Sequence, residues 1–194
     1  MLAIGGGGSY SYRSGGGSGH PQFGLLQLSS NEILSLTVGG QGSETKIEIN
    51  GVERLAAAAG GDGNDAKGKG GDVYSGGGAG FEDRLKRNTG KDGGSDGSDG
   101  HSSGRILGGK GSGLTLATLN MTRFVLTPGK AGSGSKRYGG GGGGILVNGK
   151  RPRGGRDRYD GEGFGGGRGA NRINLGFTHG RNMDVIPGCV LIEI

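Results

Sequence analysis

The sequence predicts a mostly β fold in which short strands alternate with long glycine runs and α-helix is almost absent. Three observations predict it. Glycine occupies 54 of the 194 positions, several times the usual share of ~7%. The apolar residues are gathered in short stretches, several of which alternate with polar residues as half-buried strands do. Two Asn-Gly pairs follow such stretches, and this dipeptide is typical of the tight turn of a β-hairpin.

The first hairpin is predicted between residues 47 and 59. Ile47 and Ile49 alternate with polar residues and lead into Asn50-Gly51, after which the chain returns through 52–59. Both central residues of a type I′ turn need a positive φ, which Asn and Gly tolerate best. The stretch 34–38 alternates in the same way and predicts a neighbouring strand.

Further strands are predicted along the rest of the chain. A second hairpin is expected where Ile145–Val147 runs into Asn148-Gly149. Thr127-Pro128-Gly129-Lys130 has the residues of a type II turn, which would close a strand over 124–126. The remaining predicted strands lie at 2–4, around Leu114 and Leu116, and at 190–194. Only 81–88 has a helical spacing, and it would give one or two turns.

Glycine tracts at 5–8, 15–17, 76–80, 139–144 and 165–169 separate these strands. Glycine runs have no propensity for helix or strand, so two states are open. The tracts are either flexible linkers or left-handed extended helices with three residues per turn, packed side by side. In the packed state, backbone groups would pair between neighbouring segments.

Composition and charge limit the function classes. The net charge of +6 permits an anionic partner such as nucleic acid, sulfated glycan or membrane lipid. The single cysteine, Cys189, excludes a disulfide framework within the chain and is predicted to be a small buried hydrophobe. No apolar run reaches the ~18 residues of a membrane span. No catalytic constellation and no cofactor motif can be assembled, so the chain is predicted not to be an enzyme.

Three sets of residues are candidate sites. Glycine-spaced carboxylates could converge on calcium, although solvated Asp-Gly turns are the favoured interpretation. A basic run could bind an anionic partner or form a solvated loop, which we favour. Asn120 opens a glycosylation sequon with Met121 and Thr122. The calcium candidates are Asp62, Asp65, Asp92, Asp96 and Asp99, and the basic candidates are Lys150, Arg151, Arg153, Arg156 and Arg158.

Several segments resemble one receptor family. GGGGGGILVNG at 139–149, GEGFGGG at 161–167 and the closing PGCVLIE at 187–193 are similar to the glycine-rich extracellular region of the anaplastic lymphoma kinase and leukocyte tyrosine kinase receptors. Related invertebrate glycine-rich proteins carry the same pattern. LTVGGQG at 36–42 and AAAAGG at 56–61 resemble the family's transitions from strand to glycine run. The chain departs from the pattern at 171–184, where apolar residues replace glycine.

The resemblance implies a tumour-necrosis-factor-like β-sandwich combined with a bundle of polyglycine helices, all within one domain over 1–194. It also implies an extracellular or cell-surface location and a fragment of a longer chain. A protein ligand or a matrix component would be the partner, nucleic acid is not expected, and membrane attachment would need a part outside this chain. The chain has no kinase motif and no cysteine-rich module, so it is not a receptor by itself.

The leading hypothesis is a non-enzymatic extracellular structural or recognition module, in which a glycine bundle braces a small sandwich. One rival is a largely disordered glycine-rich RNA-binding protein with a basic segment. Steep loss of binding with salt would favour that rival. A second rival is the tip of a phage-type adhesin, which also uses sandwiches of glycine helices with variable loops.

Overall fold

A computed structural model describes residues 1–10, 13–63, 70–78, 90–103, 106–119, 121–134, 138–150, 159–170 and 186–193. The described part of the chain is mostly β with almost no helix, as predicted. Its elements are β1 (Leu2–Ile4), β2 (Pro21–Phe23), β3 (Leu34–Thr37), β4 (Thr45–Ile49), β5 (Val52–Ala57), a 3₁₀ turn at Leu116–Thr118, β6 (Leu126–Pro128), β7 (Ile145–Val147) and β8 (Cys189–Leu191). No helix of this part is long and apolar enough to cross a membrane. The predicted helical turns at 81–88 lie outside the described residues.

The strands form three small antiparallel sheets. The first has the order β2-β1-β8, the second β3-β4-β5, and the third pairs β6 with β7. In the first sheet, Leu2 of β1 is opposite both Phe23 and Leu191. The sheet therefore joins strands from the two ends of the sequence.

The core lies on both sides of β1. On one side, Met1 and Ala3 pack with Ile47, Leu55 and Ala57 of the second sheet. On the other side, Leu2 and Ile4 pack with an apolar cluster that includes the third sheet, formed by Tyr74, Leu116, Ile145, Val147 and Leu191. Successive side chains of a strand point to opposite faces, so β1 is the middle of three layers. The tumour-necrosis-factor-like sandwich that the resemblance implies is not confirmed by this arrangement.

Both predicted Asn-Gly hairpins are confirmed. Asn50 and Gly51 have φ values of 51° and 76°, and Asn148 and Gly149 have values of 50° and 69°. Positive φ at two successive residues is the signature of the type I′ turn. The first turn joins β4 to β5, and the second closes a bridge between Val147 and Lys150.

Two local predictions are wrong. Leu116 begins a 3₁₀ turn instead of a strand. Its backbone N–H donates to Asp96 Oδ1 at 2.9 Å. The alternating pattern of Leu114 and Leu116 gives no sign of this contact with a distant residue. The type II turn at 127–130 is absent, because Pro128 belongs to β6 and Gly129 does not have a positive φ. Gly129 instead donates to Gly144 O at 2.8 Å, as part of a packed glycine segment.

The glycine tracts of the described chain are packed segments, and their hydrogen bonds repeat every three residues. In the segment 15–20, Gly15 and Ser18 donate to Gly78 and Ser75. Gly16 and Gly19 donate to a second segment, at residues 168 and 165, and Gly17 and His20 to a third, at residues 61 and 58. Donors three residues apart reach the same neighbour, as expected for a helix with three residues per turn and no internal hydrogen bonds.

The segment 139–144 lies at the centre of this bundle. Its N–H groups donate to three segments that run parallel to it, at 13–16, 91–94 and 159–162. Its carbonyl groups accept from three other segments, through the N–H groups of residues 78, 129, 132, 167 and 170. Six neighbours around one rod is hexagonal packing, and it pairs all six N–H groups of the segment and the carbonyl groups of residues 139–142 and 144.

Packing this close requires glycine. A Cβ added to Gly141 would lie 1.9 Å from Gly167 O, and one added to Gly16 would lie 2.3 Å from Gly8 O. In both cases the obstacle is backbone rather than a flexible side chain. The glycine runs are therefore the building material of the bundle.

Candidate interaction surface

The calcium candidates that the structure describes accept hydrogen bonds from backbone N–H groups. Asp62 Oδ1 accepts the N–H of Ser9 at 2.7 Å, and Asp99 Oδ1 accepts that of Gly111 at 2.7 Å. Asp92 accepts the N–H of Gly134, and Asp96 accepts from Leu116 N and from the Tyr74 hydroxyl. Among the residues that the structure describes, no group of three or more His, Cys, Asp or Glu could hold a metal ion. Asp65 lies outside them.

The basic candidates fall mostly outside the described chain. Lys150 is described, and it lies exposed after the second Asn-Gly turn, bridged to Val147. Arg151, Arg153, Arg156 and Arg158 lie in the part that is not described, as does the sequon residue Asn120. Arg168 is described and its side chain is buried, with Nε 3.8 Å from Asp160 Oδ1. This arginine is therefore not presented to an anionic partner.

Cys189 is half-buried at the start of β8. Burial raises the pKa of its thiol to about 11. The thiolate is the nucleophilic form, so the raised pKa leaves little of this side chain in that form at neutral pH.

A small groove on the second sheet has a mixed lining of three apolar and three polar residues. It has a volume of about 250 Å³. The buried side chain of Ile49 contributes to its wall, and Leu26 is packed against the core cluster beside it. Leu25 is 88% exposed at the groove. The lining residues are Leu25, Leu26, Gln27, Glu32, Ile49 and Arg54.

Local contacts hold the groove in shape. Ser29 N donates to Glu32 Oε2 at 2.7 Å and Glu32 N donates to Ser29 O at 3.2 Å, so 29–32 is a closed turn. Ile33 N then donates to Asn50 Oδ1 at 2.9 Å, which fixes the turn to the end of the first hairpin. The groove therefore presents three apolar side chains together with one amide, one carboxylate and one guanidinium. The apolar stretch at 25–28 was the only feature of the sequence that pointed to this groove. Such a stretch does not show whether its side chains line a groove or belong to the core.

A second, more open groove of about 530 Å³ lies where the second sheet meets the glycine bundle. Lys46 lines it and bridges Glu44 at 2.8 Å and Glu53 at 3.1 Å. The hydrogen bonds to Glu44 and Glu53 raise the pKa of Lys46 above its ordinary range. The charge of this groove is thus balanced internally, which makes it a poorer anion site than the lysine alone suggests.

No family model, curated protein or solved structure matches this chain.

Proposed function

We propose that this chain is a non-enzymatic extracellular recognition module, resembling the glycine-rich region of the anaplastic lymphoma kinase and leukocyte tyrosine kinase receptors. The observation that carries the proposal is the three-residue period of hydrogen bonds through the glycine tracts. A chain that pairs its glycine backbone in this way is a scaffold and not a flexible tail. This favours the recognition module over the disordered RNA-binding protein.

Rigidity supports recognition because a surface that is ordered before binding loses less conformational entropy on binding. The glycine segments that leave the sheets at both ends of the strands would hold those sheets in fixed positions. The groove beside Leu25 would then be preformed. Its three apolar side chains and its two opposite charges suit a protein ligand with an apolar side chain flanked by polar groups.

Binding to secreted proteins tests the proposal directly. The chain is immobilised and exposed to a panel of secreted proteins from its own source, with heparin and RNA as competing ligands. We expect saturable binding to a protein, weakened about tenfold or more by Leu25→Asp, because a charge that is buried at the contact without a partner is costly to desolvate. Leu107→Asp is the matched control, since Leu107 is also exposed, at 59%, and does not line the groove.

RNA binding with a steep salt dependence, and no protein ligand, would replace the proposal with the nucleic-acid alternative. Protein binding that both aspartate variants weaken equally would move the site away from the groove.

A further inference from the structure

The edge strand β3 has an unusual combination of open backbone and apolar side chains. In the second sheet β3 pairs only with β4, so its other edge is open in the described part of the chain. Leu36 is 45% exposed and Val38 is 51% exposed. No charged residue lies between 33 and 38. Soluble proteins usually protect an open edge with charge, proline or a bulge.

The contacts of β3 with the first hairpin show which of its residues direct their backbone N–H and C=O groups to β4 and which direct them to the open edge. Ile33 O accepts from Asn50 N at 2.9 Å and Ile33 N donates to Asn50 Oδ1, so the backbone of Ile33 faces β4. In an antiparallel ladder, alternate residues face alternate neighbours. Ser35 and Thr37 therefore also face β4, while the N–H and C=O groups of Leu34, Leu36 and Val38 point to the open edge.

The side chains of the same residues share one face. Leu36 is opposite Ile47 and Leu34 is opposite Ile49, and both isoleucines are buried in the core. The apolar side chains of β3 thus lie on the inner face of the sheet. β1 packs on β4 and β5, and β3 lies beyond this cover, which explains why Leu36 is half exposed although it faces inward.

We propose that this edge binds the β3 strand of a second copy of the chain, antiparallel and about a twofold axis at Leu36. In this register Leu36 is opposite its own counterpart and Leu34 is opposite the copy's Val38. The N–H and C=O groups that point to the open edge then face the C=O and N–H groups that point to the open edge of the copy. The result is a continuous six-stranded sheet with leucine and valine on one face and Ser35 and Thr37 on the other.

The second copy is favoured because the edge is complementary to itself. Its outward backbone groups and its apolar side chains belong to the same three residues, and the register about Leu36 is the one that pairs all three of them with one another. The neutral stretch 33–38 brings no like charges together, which would destabilise directly opposed pairs. One strand pair is a small interface, so we expect a dissociation constant on the order of 0.1 mM. This inference does not depend on the proposed ligand groove.

The test places charges of opposite sign at the twofold axis in two separate variants. Dimerisation is measured by sedimentation over a concentration range of about 100-fold around the expected dissociation constant. Leu36→Glu and Leu36→Lys should each weaken dimerisation about tenfold or more, because two like charges would be directly opposed. An equimolar mixture of the two variants should restore the dimer. Val52→Glu is the matched control, since Val52 is 52% exposed in β5 and distant from the open edge.

Hydrogen exchange of the unmodified chain tests the same inference without any variant. The amides of Leu34, Leu36 and Val38 should become protected as the concentration rises, while those of Ser35 and Thr37 should be protected throughout. A chain that stays monomeric at all concentrations would overturn the proposal, as would a dimer that the mixed variants do not restore. Binding of an unrelated extended peptide to a monomeric chain would also overturn it, by assigning the edge to a foreign strand.

Discussion

Glycine at the bundle centre is where a single methyl group should matter most. A Cβ at position 141 would lie 1.9 Å from Gly167 O and 2.4 Å from Gly167 C. Overpacking a core costs about 1–3 kcal/mol and occasionally more. Because the obstacle here is backbone on a segment that is itself packed, we expect Gly141→Ala to lower the free energy of unfolding by about 3 kcal/mol or more, measured by urea denaturation.

Gly24→Ala is the control for that substitution. A Cβ at Gly24 meets only Leu55 Cδ1, at 3.1 Å, the end of a flexible side chain. Its φ is not in the positive region, so alanine is tolerated by the backbone. We expect a change within about 1 kcal/mol, and equal losses in the two variants would contradict the packing argument.

The two turn asparagines do more than accept a positive φ. Asn50 Oδ1 accepts from Ile33 N at 2.9 Å, and Asn148 Oδ1 accepts from Val125 N at 2.8 Å. In each case the asparagine N–H also donates to the carbonyl oxygen of the same residue. The side chain therefore extends the ladder by one pair to an adjacent strand.

Three substitutions at Asn50 should separate these two roles. Asn50→Asp keeps the acceptor, Asn50→Gly keeps only the backbone conformation, and Asn50→Ala loses both. We expect losses of about 0.5, about 1 and about 2 kcal/mol respectively, from one hydrogen bond and one left-handed residue. A glycine variant as unstable as the alanine variant would show that the backbone conformation contributes little.

At the scale of elements, the segment 139–144 should be as stable as a core strand although it has no side chains in its glycine run. Its N–H groups donate to three of its six neighbouring segments, and residues 139–144 are buried. We expect the amides of Gly140–Gly143 to exchange with solvent only when the whole chain unfolds. The exposed turn residue Gly51 serves as the fast comparison, and rapid exchange of both sets in two-dimensional NMR would contradict a packed bundle.

The elements differ in how much of them the sequence could predict. The hairpin at Asn50-Gly51 was predictable because alternation and turn chemistry are local properties. The glycine segments were left open between linker and bundle, since their order depends on partners such as the pair Gly16 and Arg168, far apart in sequence. The 3₁₀ turn at Leu116 was missed for the same reason, because its cap is Asp96.

The candidate sites show the same division. Glycine-spaced aspartates were predicted as turn residues or calcium ligands. Their spacing in the sequence does not reveal the distant backbone N–H groups from which they accept hydrogen bonds. Asp99 accepts from Gly111, twelve residues away. The groove at Leu25 was not predicted, because its wall at Ile49 comes from another strand.

At the scale of the whole molecule, the bundle and the sheets should unfold together. The chain alternates between them, so that β1 continues into the segment 5–8 and the segment 139–144 continues into β7. We expect one cooperative transition in which β-sheet circular dichroism coincides with fluorescence of the tyrosines, one of which is the fully buried Tyr74. Two separated transitions would show that the sheets fold without the bundle.

Alkaline pH should weaken the whole fold through two buried acids. Burial raises the pKa of Cys189 to about 11, and burial together with the hydrogen bond to Asp96 raises that of Tyr74 further. An acid whose folded-state pKa is raised contributes stability that is complete below its unfolded pKa and is lost as pH rises above it. The melting temperature should therefore be flat near neutral pH and fall from about pH 8 upward, where the unfolded cysteine, with a pKa of about 8.5, begins to ionise.

The double variant Cys189→Ala with Tyr74→Phe isolates this effect from other titrations. It should be less stable at neutral pH, because the Tyr74 hydroxyl no longer donates to Asp96 at 3.0 Å. Its melting temperature should nevertheless fall less steeply between about pH 8 and pH 10.5, since neither residue can then ionise in the unfolded chain. An unchanged slope would mean that the alkaline loss comes from other groups, such as Tyr10, whose pKa burial also raises, or the basic side chains.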